Sequence, residues 1–333
     1  FKLNKYGFGL TKTYDFANTG GWYPLSGLTQ ATDGRLYGTT NASTPSGRGT
    51  IYSVNSNGTD HTQLLQLDNA TGGHPIWNKL TETENGKLIG NMDYVPGGYG
   101  RVFSIAKDGS QFQSIADFYG SNGSYPRGKL AKGTDGFYYG TAATGGSYGY
   151  GTIFKVREDG SDFQILRSLN QSAGEGAYPN AGVILGFDGM LYGTTSYYSS
   201  SDYGIIFRIN TDGSNFTKIY EFTGATGADP RNGLIQGQDS TLYGATWQGG
   251  MYGNGVIYKI KPDGTGYERL LNLSNQIGYQ PYSPILISKT PGRSQTITFD
   301  PLVAATYGDA PVSLIATASS GLAVSYTSSD TTM

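Results

Sequence analysis

The chain has 333 residues, of which 14% are charged, with a net charge near −2, no cysteine, 52 glycines and 27 tyrosines. That balance offers no basic face for nucleic acid, and zero cysteine excludes a disulfide scaffold and thiol catalysis. There is no transmembrane run and no basic amphipathic helix, so no membrane insertion is expected within this segment.

In chain order, the first residues are the end of a repeat unit. Residues 1–16 align without a gap to residues 207–222: Phe1-Lys2-Leu3-Asn4 matches Phe207-Arg208-Ile209-Asn210, and Thr11-Lys12 matches Thr217-Lys218. A proline then recurs at Pro24, Pro75, Pro126, Pro179, Pro230 and Pro281, in steps of 51, 51, 53, 51 and 51 residues. A fixed period of this size marks a repeat architecture.

Each period carries four short strands. After Pro126 they are Gly128-Lys129-Leu130-Ala131, Phe137-Tyr138-Tyr139-Gly140-Thr141, Thr152-Ile153-Phe154-Lys155-Val156 and the run from Phe163 to Leu169. The runs are rich in β-branched and aromatic residues and bounded by Gly, Asp, Asn and Ser. No stretch sustains a 3.6-residue apolar period, so almost no helix is expected. Asn57-Gly58, Asp108-Gly109, Asp159-Gly160, Asp212-Gly213 and Asp263-Gly264 supply the positive φ that a tight hairpin needs between strands three and four. The third strand places an aromatic at Tyr52, Phe103, Phe154, Phe207 and Tyr258, with an aliphatic residue two positions on, one face for packing on a neighbouring unit. The second strand carries Gly38, Gly90, Gly140, Gly193 and Gly244, expected to mark close backbone approach between units.

Four antiparallel strands per unit, stacked in series, are blades of a β-propeller. Five complete units, the N-terminal piece and a lone first strand at residues 281–288 predict an all-β, six-bladed β-propeller of four-stranded antiparallel blades over residues 1–290. Its sixth blade is closed by the N- and C-terminal strands, which removes the free edges. A five-bladed ring with two spare pieces is the alternative. The missing second strand of blade six would lie upstream of Phe1, so the native chain is expected to begin earlier.

Two resemblances follow from the motifs. Asp33-Gly34-Arg35-Leu36-Tyr37-Gly38-Thr39-Thr40, Asp188-Gly189-Met190-Leu191-Tyr192-Gly193-Thr194-Thr195 and residues 151–161 resemble the bacterial tandem-repeat family called GloVer, over roughly residues 1–288. The resemblance implies an extracellular or cell-surface setting and supplies no catalytic residues. After a linker at 291–294, residues 295–333 resemble the opening half of a bacterial immunoglobulin-like domain of the MBG type, through Gln295-Thr296-Ile297-Thr298-Phe299 and Thr306-Tyr307-Gly308-Asp309-Ala310-Pro311. Such a sandwich needs about 70–100 residues. The native chain is therefore expected to continue into further Ig-like domains and a C-terminal anchor.

In a four-stranded blade, loops between strands two and three share a face with the blade-to-blade connections. That face collects Tyr94, Tyr148, Tyr198, Trp247 and Tyr252 from the loops, with Trp22 and Trp77 from the connections. Tyr and Trp offer flat apolar area with a hydrogen-bonding edge, suited to a sugar ring or a protein surface. These seven residues are the candidate ligand-binding set; the residues directly before the repeat prolines are read as packing positions.

Catalytic signals are few. His61 and His74 sit at different repeat positions and make no metal cluster; His61, on an outer strand, is read as solvated. There is no Gly-x-Ser-x-Gly elbow and no EF-hand spacing. Most aspartates belong to hairpin turns. Asp93, Asp202, Asp229 and Glu175 lie near the aromatic face, with Asp202 and Asp229 facing each other across one blade connection. The expectation is a non-enzymatic recognition or adhesion module without metal or cofactor, whose partner is a cell-surface protein or glycan. The alternatives are a carbohydrate-active enzyme centred on Asp93, Asp202 or Asp229, and a passive display element.

Overall fold

The computed structural model describes residues 12, 14–16, 21–42, 47–75, 78–196, 203–276 and 281, and the backbone of 297–299 and 316–318. Contacts divide the chain into two compact units, Phe1–Leu286 and Ile287–Met333.

Among its described residues the first unit contains five four-stranded antiparallel sheets, each with its strands in chain order. They are β1 (Thr29–Gln30), β2 (Leu36–Thr40), β3 (Thr50–Val54) and β4 (Thr62–Gln66); β5 (Thr81–Glu82), β6 (Leu88–Met92), β7 (Arg101–Ile105) and β8 (Gln113–Asp117); β9 (Ser124–Lys132), β10 (Phe137–Thr144), β11 (Thr152–Arg157) and β12 (Gln164–Ser168). The last two are β13 (Ile184–Leu185), β14 (Leu191–Thr195), β15 (Ile205–Ile209) and β16 (Thr217–Glu221), then β17 (Leu234–Gln236), β18 (Leu242–Ala245), β19 (Val256–Ile260) and β20 (Glu268–Asn272). The helical content among the described residues is one 3-10 turn, Gln171–Ala173. In the second unit, β21 (Ile297–Phe299) pairs antiparallel with β22 (Ala316–Ala318).

The apolar core lies between successive sheets, in a propeller-like arrangement. Alternation along the third strand divides its side chains between two neighbours. In β7, Phe103 and Ile105 join Tyr37 and Ile51 of the preceding blade, while Val102 joins Phe154 and Val156 of the next. In β11 and β15 the same split recurs: Ile153 packs forward against Phe207 and Ile209, and Ile206 packs forward against Tyr258 and Ile260. The backward face of the first blade is filled too. Phe16 meets Tyr52 edge-on at 5.1 Å, and Tyr14 stacks on His61 at 4.0 Å. Phe222 on Tyr258 (5.3 Å) and Tyr220 on Tyr267 (4.3 Å) repeat that arrangement between the fourth and fifth blades. His61 is therefore part of an aromatic cluster rather than solvated, and burial pushes its pKa down.

Every sheet slips by one residue between its third and fourth strands, leaving Leu64, Ile115, Leu166, Ile219 and Leu270 unpaired. A bulge at the same place in each blade sharpens the twist of the outer strand. It also offers a carbonyl on which the next blade's hairpin rests. A Cβ on Gly160 would lie 3.0 Å from Ile115 O, and one on Gly213 2.7 Å from Leu166 O.

The second-strand glycine has a different role from the one expected. A Cβ on Gly140 would lie 2.5 Å from the tip of Phe154, and one on Gly193 2.5 Å from the tip of Phe207, its ladder partner. The bare glycine makes room for the third-strand ring of its own blade. Close approach between blades falls instead to the glycine opening strand three: a Cβ on Gly151 would meet both Ala142 O and Pro179 Cδ at 2.6 Å. The repeat proline thus packs on the preceding blade's repeat glycine.

The residue after the second-strand glycine links blades directly. Thr141 Oγ1 donates to Pro179 O at 3.0 Å, and Thr194 Oγ1 to Pro230 O at 2.7 Å. The second blade substitutes Asn91, whose Nδ2 donates to Gly128 O at 2.9 Å. Thr194→Val keeps the shape and deletes the donor, leaving a buried carbonyl unsatisfied. Chemical denaturation should show a loss of about 1–2 kcal/mol.

Candidate functional site

Among the described residues, the one before each repeat proline adopts a left-handed backbone: φ is 56° at Tyr23, 55° at His74, 57° at Tyr125, 56° at Tyr178 and 58° at Asp229. This region is disfavoured for non-glycine residues and doubly so before proline. Backbone bonds hold it there. His74, Tyr125, Tyr178 and Asp229 donate N–H to Arg48 O, Tyr99 O, Tyr150 O and Tyr203 O of the preceding blade. The carbonyls of His74, Tyr178 and Asp229 accept from Asp93, Ser196 and Trp247 of their own blade. Side chains add to this: the Tyr125 ring meets Tyr99 of the preceding blade edge-on at 6.0 Å, and His74 lies 3.4 Å from Arg48 Nη1. The ring of Tyr23 is 62% exposed, contrary to its expected packing role.

Short bridges join each connection to the loop that follows strand two. Trp22 pairs with Ala42, Gly73 with Tyr94, Ala177 with Ser196 and Ala228 with Gln248. Loops and connections therefore share a face. Trp22, Tyr148 (55% exposed) and Tyr252 (60% exposed) present open rings there, and among the described residues none of them meets another ring. Tyr94 is half-buried, with the Arg48 guanidinium 3.8 Å above it. Trp247 is half-buried beneath Arg231 at 4.3 Å. Tyr198, Trp77 and Asp202 lie outside the described residues. The face also exposes Tyr119 and Met251. Both were missed because neither fits the repeat consensus, which is itself the signal that could have found them.

Among the described residues the three carboxylates singled out near this face, Asp93, Asp229 and Glu175, each pair with an arginine. Asp93 Oδ2 accepts from Arg127 Nε (3.1 Å) and Nη2 (3.0 Å). Arg127 Nη1 continues to Asn180 Oδ1 (2.9 Å), and Asn180 Nδ2 to Ser196 Oγ (2.9 Å), so one polar chain crosses blades two, three and four. Burial pushes Asp93 up to about 6 against the opposing pull of Arg127. Asp229 Oδ2 binds Arg231 at 2.5 Å. Glu175 pairs with Arg167 and accepts from Asn170 N at 3.0 Å.

Inside the ring of first strands lies a cavity of about 370 Å³. Asn180, Arg231 and Asn232 line it along with Leu25, Val183 and Leu234, and Lys79 and Lys129 are on its wall. These two lysines escaped the sequence reading, although Gly27, Gly182 and Gly233 occupy the position of Lys129 in other blades.

Similar solved structures bear on the fold alone. A Nidogen/Laminin complex matches at 15% identity over 77% of this chain and 82% of that chain, with a TM-score of 0.54. A putative TolB from Agrobacterium tumefaciens matches at 14% identity over 80% and 84%, TM-score 0.51. An oligogalacturonate lyase in complex with manganese matches at 12% identity over 76% and 66%, with a TM-score of 0.48. No curated protein matches the chain. Residues 1–134 and 128–293 match the family model described as Gloeobacter/Verrucomicrobia repeat. With its β-propeller-like fold and tandem repeats, the chain belongs to that family.

Proposed function

We propose that the chain is a non-enzymatic recognition module of an extracellular or surface protein, binding a protein or glycan through the face that carries Trp22, Tyr148 and Tyr252. The observation that carries this reading is the set of open aromatic rings on loops that differ from blade to blade. Rigid amphipathic rings give large contact area at low conformational cost. Asp93, Asp229 and Glu175 support the non-enzymatic side, because each is paired with an arginine. Glycosidase chemistry needs two available carboxylates about 5–10 Å apart. Among the described residues no helix is long and apolar enough to cross a membrane.

The same reading takes the ring as six-bladed. The contacts of Tyr14 and Phe16 with Tyr52 and His61 match those of a fourth strand on the following blade. It takes Ile287–Met333 as the opening of an Ig-like spacer, in keeping with the β21–β22 pair.

A glycan array and a pull-down from intact bacterial cell surfaces test the proposal with wild type, Tyr148→Ala and Tyr252→Ala. Each variant should weaken binding by about tenfold or more while changing stability by less than about 0.5 kcal/mol. Binding unchanged in both would remove this face as the site. Release of new reducing ends from a bound glycan would replace the reading with a carbohydrate-active enzyme.

A further inference from the structure

We infer that the central cavity of the Phe1–Leu286 unit binds a small organic anion, a carboxylate or phosphate, between the ammonium groups of Lys79 and Lys129. This inference stands apart from the aromatic-face reading and uses none of its residues.

The cavity volume, about 370 Å³, is that of a small-molecule site. The repeat normally keeps its wall bare. The third residue after the repeat proline is Gly27, Gly182 or Gly233 in three blades, but Lys129 in another. In the second blade an inserted residue shifts the equivalent position to Lys79.

Local backbone geometry explains how the lysines reach the lumen. In β9 the ladder pairs Ala131 with Tyr139 and Arg127 with Thr141, so residues 128–130 face Gly140 alone. Gly128 takes φ +76° within this irregularity. Bulges of this kind re-aim a side chain, and Lys129 sits at the centre of this one. Lys79 extends across the facing glycine: a Cβ on Gly27 would lie 3.5 Å from Lys79 Cδ.

Neither ammonium has a partner among the described residues. Other cations around the cavity do: Arg231 binds Asp229, and Lys132 binds Glu84 at 3.4 Å. Burial holds both Lys79 and Lys129 below the usual lysine range, and the charge of Lys129 adds to the effect on Lys79. Lys79 is half-buried and Lys129 is open to the solvent of the cavity, and two like charges held close without a counter-ion repel until something neutralises them. An oxyanion reaching both would do so. The leucine, valine and isoleucine side chains along the rest of the wall suit the uncharged body of such a ligand.

Calorimetric titration and thermal shift of the full chain, at constant ionic strength, test this with citrate, glucose 6-phosphate and neutral glucose. Citrate or glucose 6-phosphate should bind and raise the melting temperature, and glucose should not. Which anion binds separates the carboxylate from the phosphate source. Lys79→Met and Lys129→Met should each weaken binding by about tenfold or more, the loss of one charge-assisted contact. Lys261→Met, on the outer edge, should leave it unchanged. If both Met variants misfold, wild type carrying ¹³C-dimethylated lysines serves instead: the anion should shift two lysine signals and leave the others in place. No binding at millimolar anion, binding that survives both substitutions, or shifts spread over all lysines would overturn the inference.

Discussion

Gly128→Ala should lower the free energy of unfolding by about 3 kcal/mol or more, measured by urea denaturation with tryptophan fluorescence. Gly128 has φ +76°, which costs a residue with a Cβ about 1–2 kcal/mol by itself. The larger contribution is steric. The new methyl would overlap Gly182 N and lie 2.7 Å from Ala181 C, and these are backbone atoms that cannot swing aside. Gly182 in turn lies against the carbonyl of Lys129, so the two first strands are pressed together in both directions. Gly128 O also accepts the Asn91 amide from the second blade. One residue is thus the meeting point of three blades. Gly189→Ala is the control. Its φ is +78°, but nothing lies within 4 Å of the added methyl, so only the backbone term remains, about 1–2 kcal/mol. Equal losses at the two positions would mean that the blades yield at Gly128, and the tight inter-blade contact would have to be given up.

How far the sequence was legible follows from which forces are local. The four-strand unit and its hairpins were visible because Asp-Gly turns and period-two alternation act within a few residues. Asp159 shows why: its carboxylate takes the N–H and the hydroxyl of Ser161 (2.9 and 2.7 Å), a bond set entirely inside the turn. The second-strand glycine was misread because spacing reports that room is needed, not which side chain uses it. Phe154 and Phe207 fill that room from within the blade. The left-handed residues before the repeat prolines were beyond reach, since local preference points the other way and inter-blade bonds decide. The rim ion pairs differ in the same sense. Asp229 and Arg231 are neighbours in sequence, whereas Asp93 and Arg127 are brought together only by the stacking of blades two and three. Lys79 and Lys129 were passed over because lysine is ordinarily a surface residue. The cavity wall they share is assembled only when the blades stack.

Asp229→Ala should cost about 2–3 kcal/mol, and Asp229→Asn about 1 kcal/mol. Asp229 is 1% exposed, its Oδ2 held at 2.5 Å by Arg231, while its own N–H and C=O connect Tyr203 to Trp247. Removing one member of a buried pair usually costs more, about 3–5 kcal/mol. Here the guanidinium left behind is 31% exposed and still rests on the Trp247 ring, so water recovers part of the loss. The backbone separates the two variants. At φ 58°, before Pro230, asparagine tolerates the left-handed region and alanine does not. A stability ranking of wild type, then Asn, then Ala is what a structural aspartate produces. An acid or base in catalysis behaves differently, because both substitutions would abolish turnover while Asn left the fold intact. If Asp229→Ala is as stable as wild type, the pair with Arg231 contributes nothing to the fold. The carboxylate would then be available for chemistry, and the enzymatic reading would regain its strongest candidate.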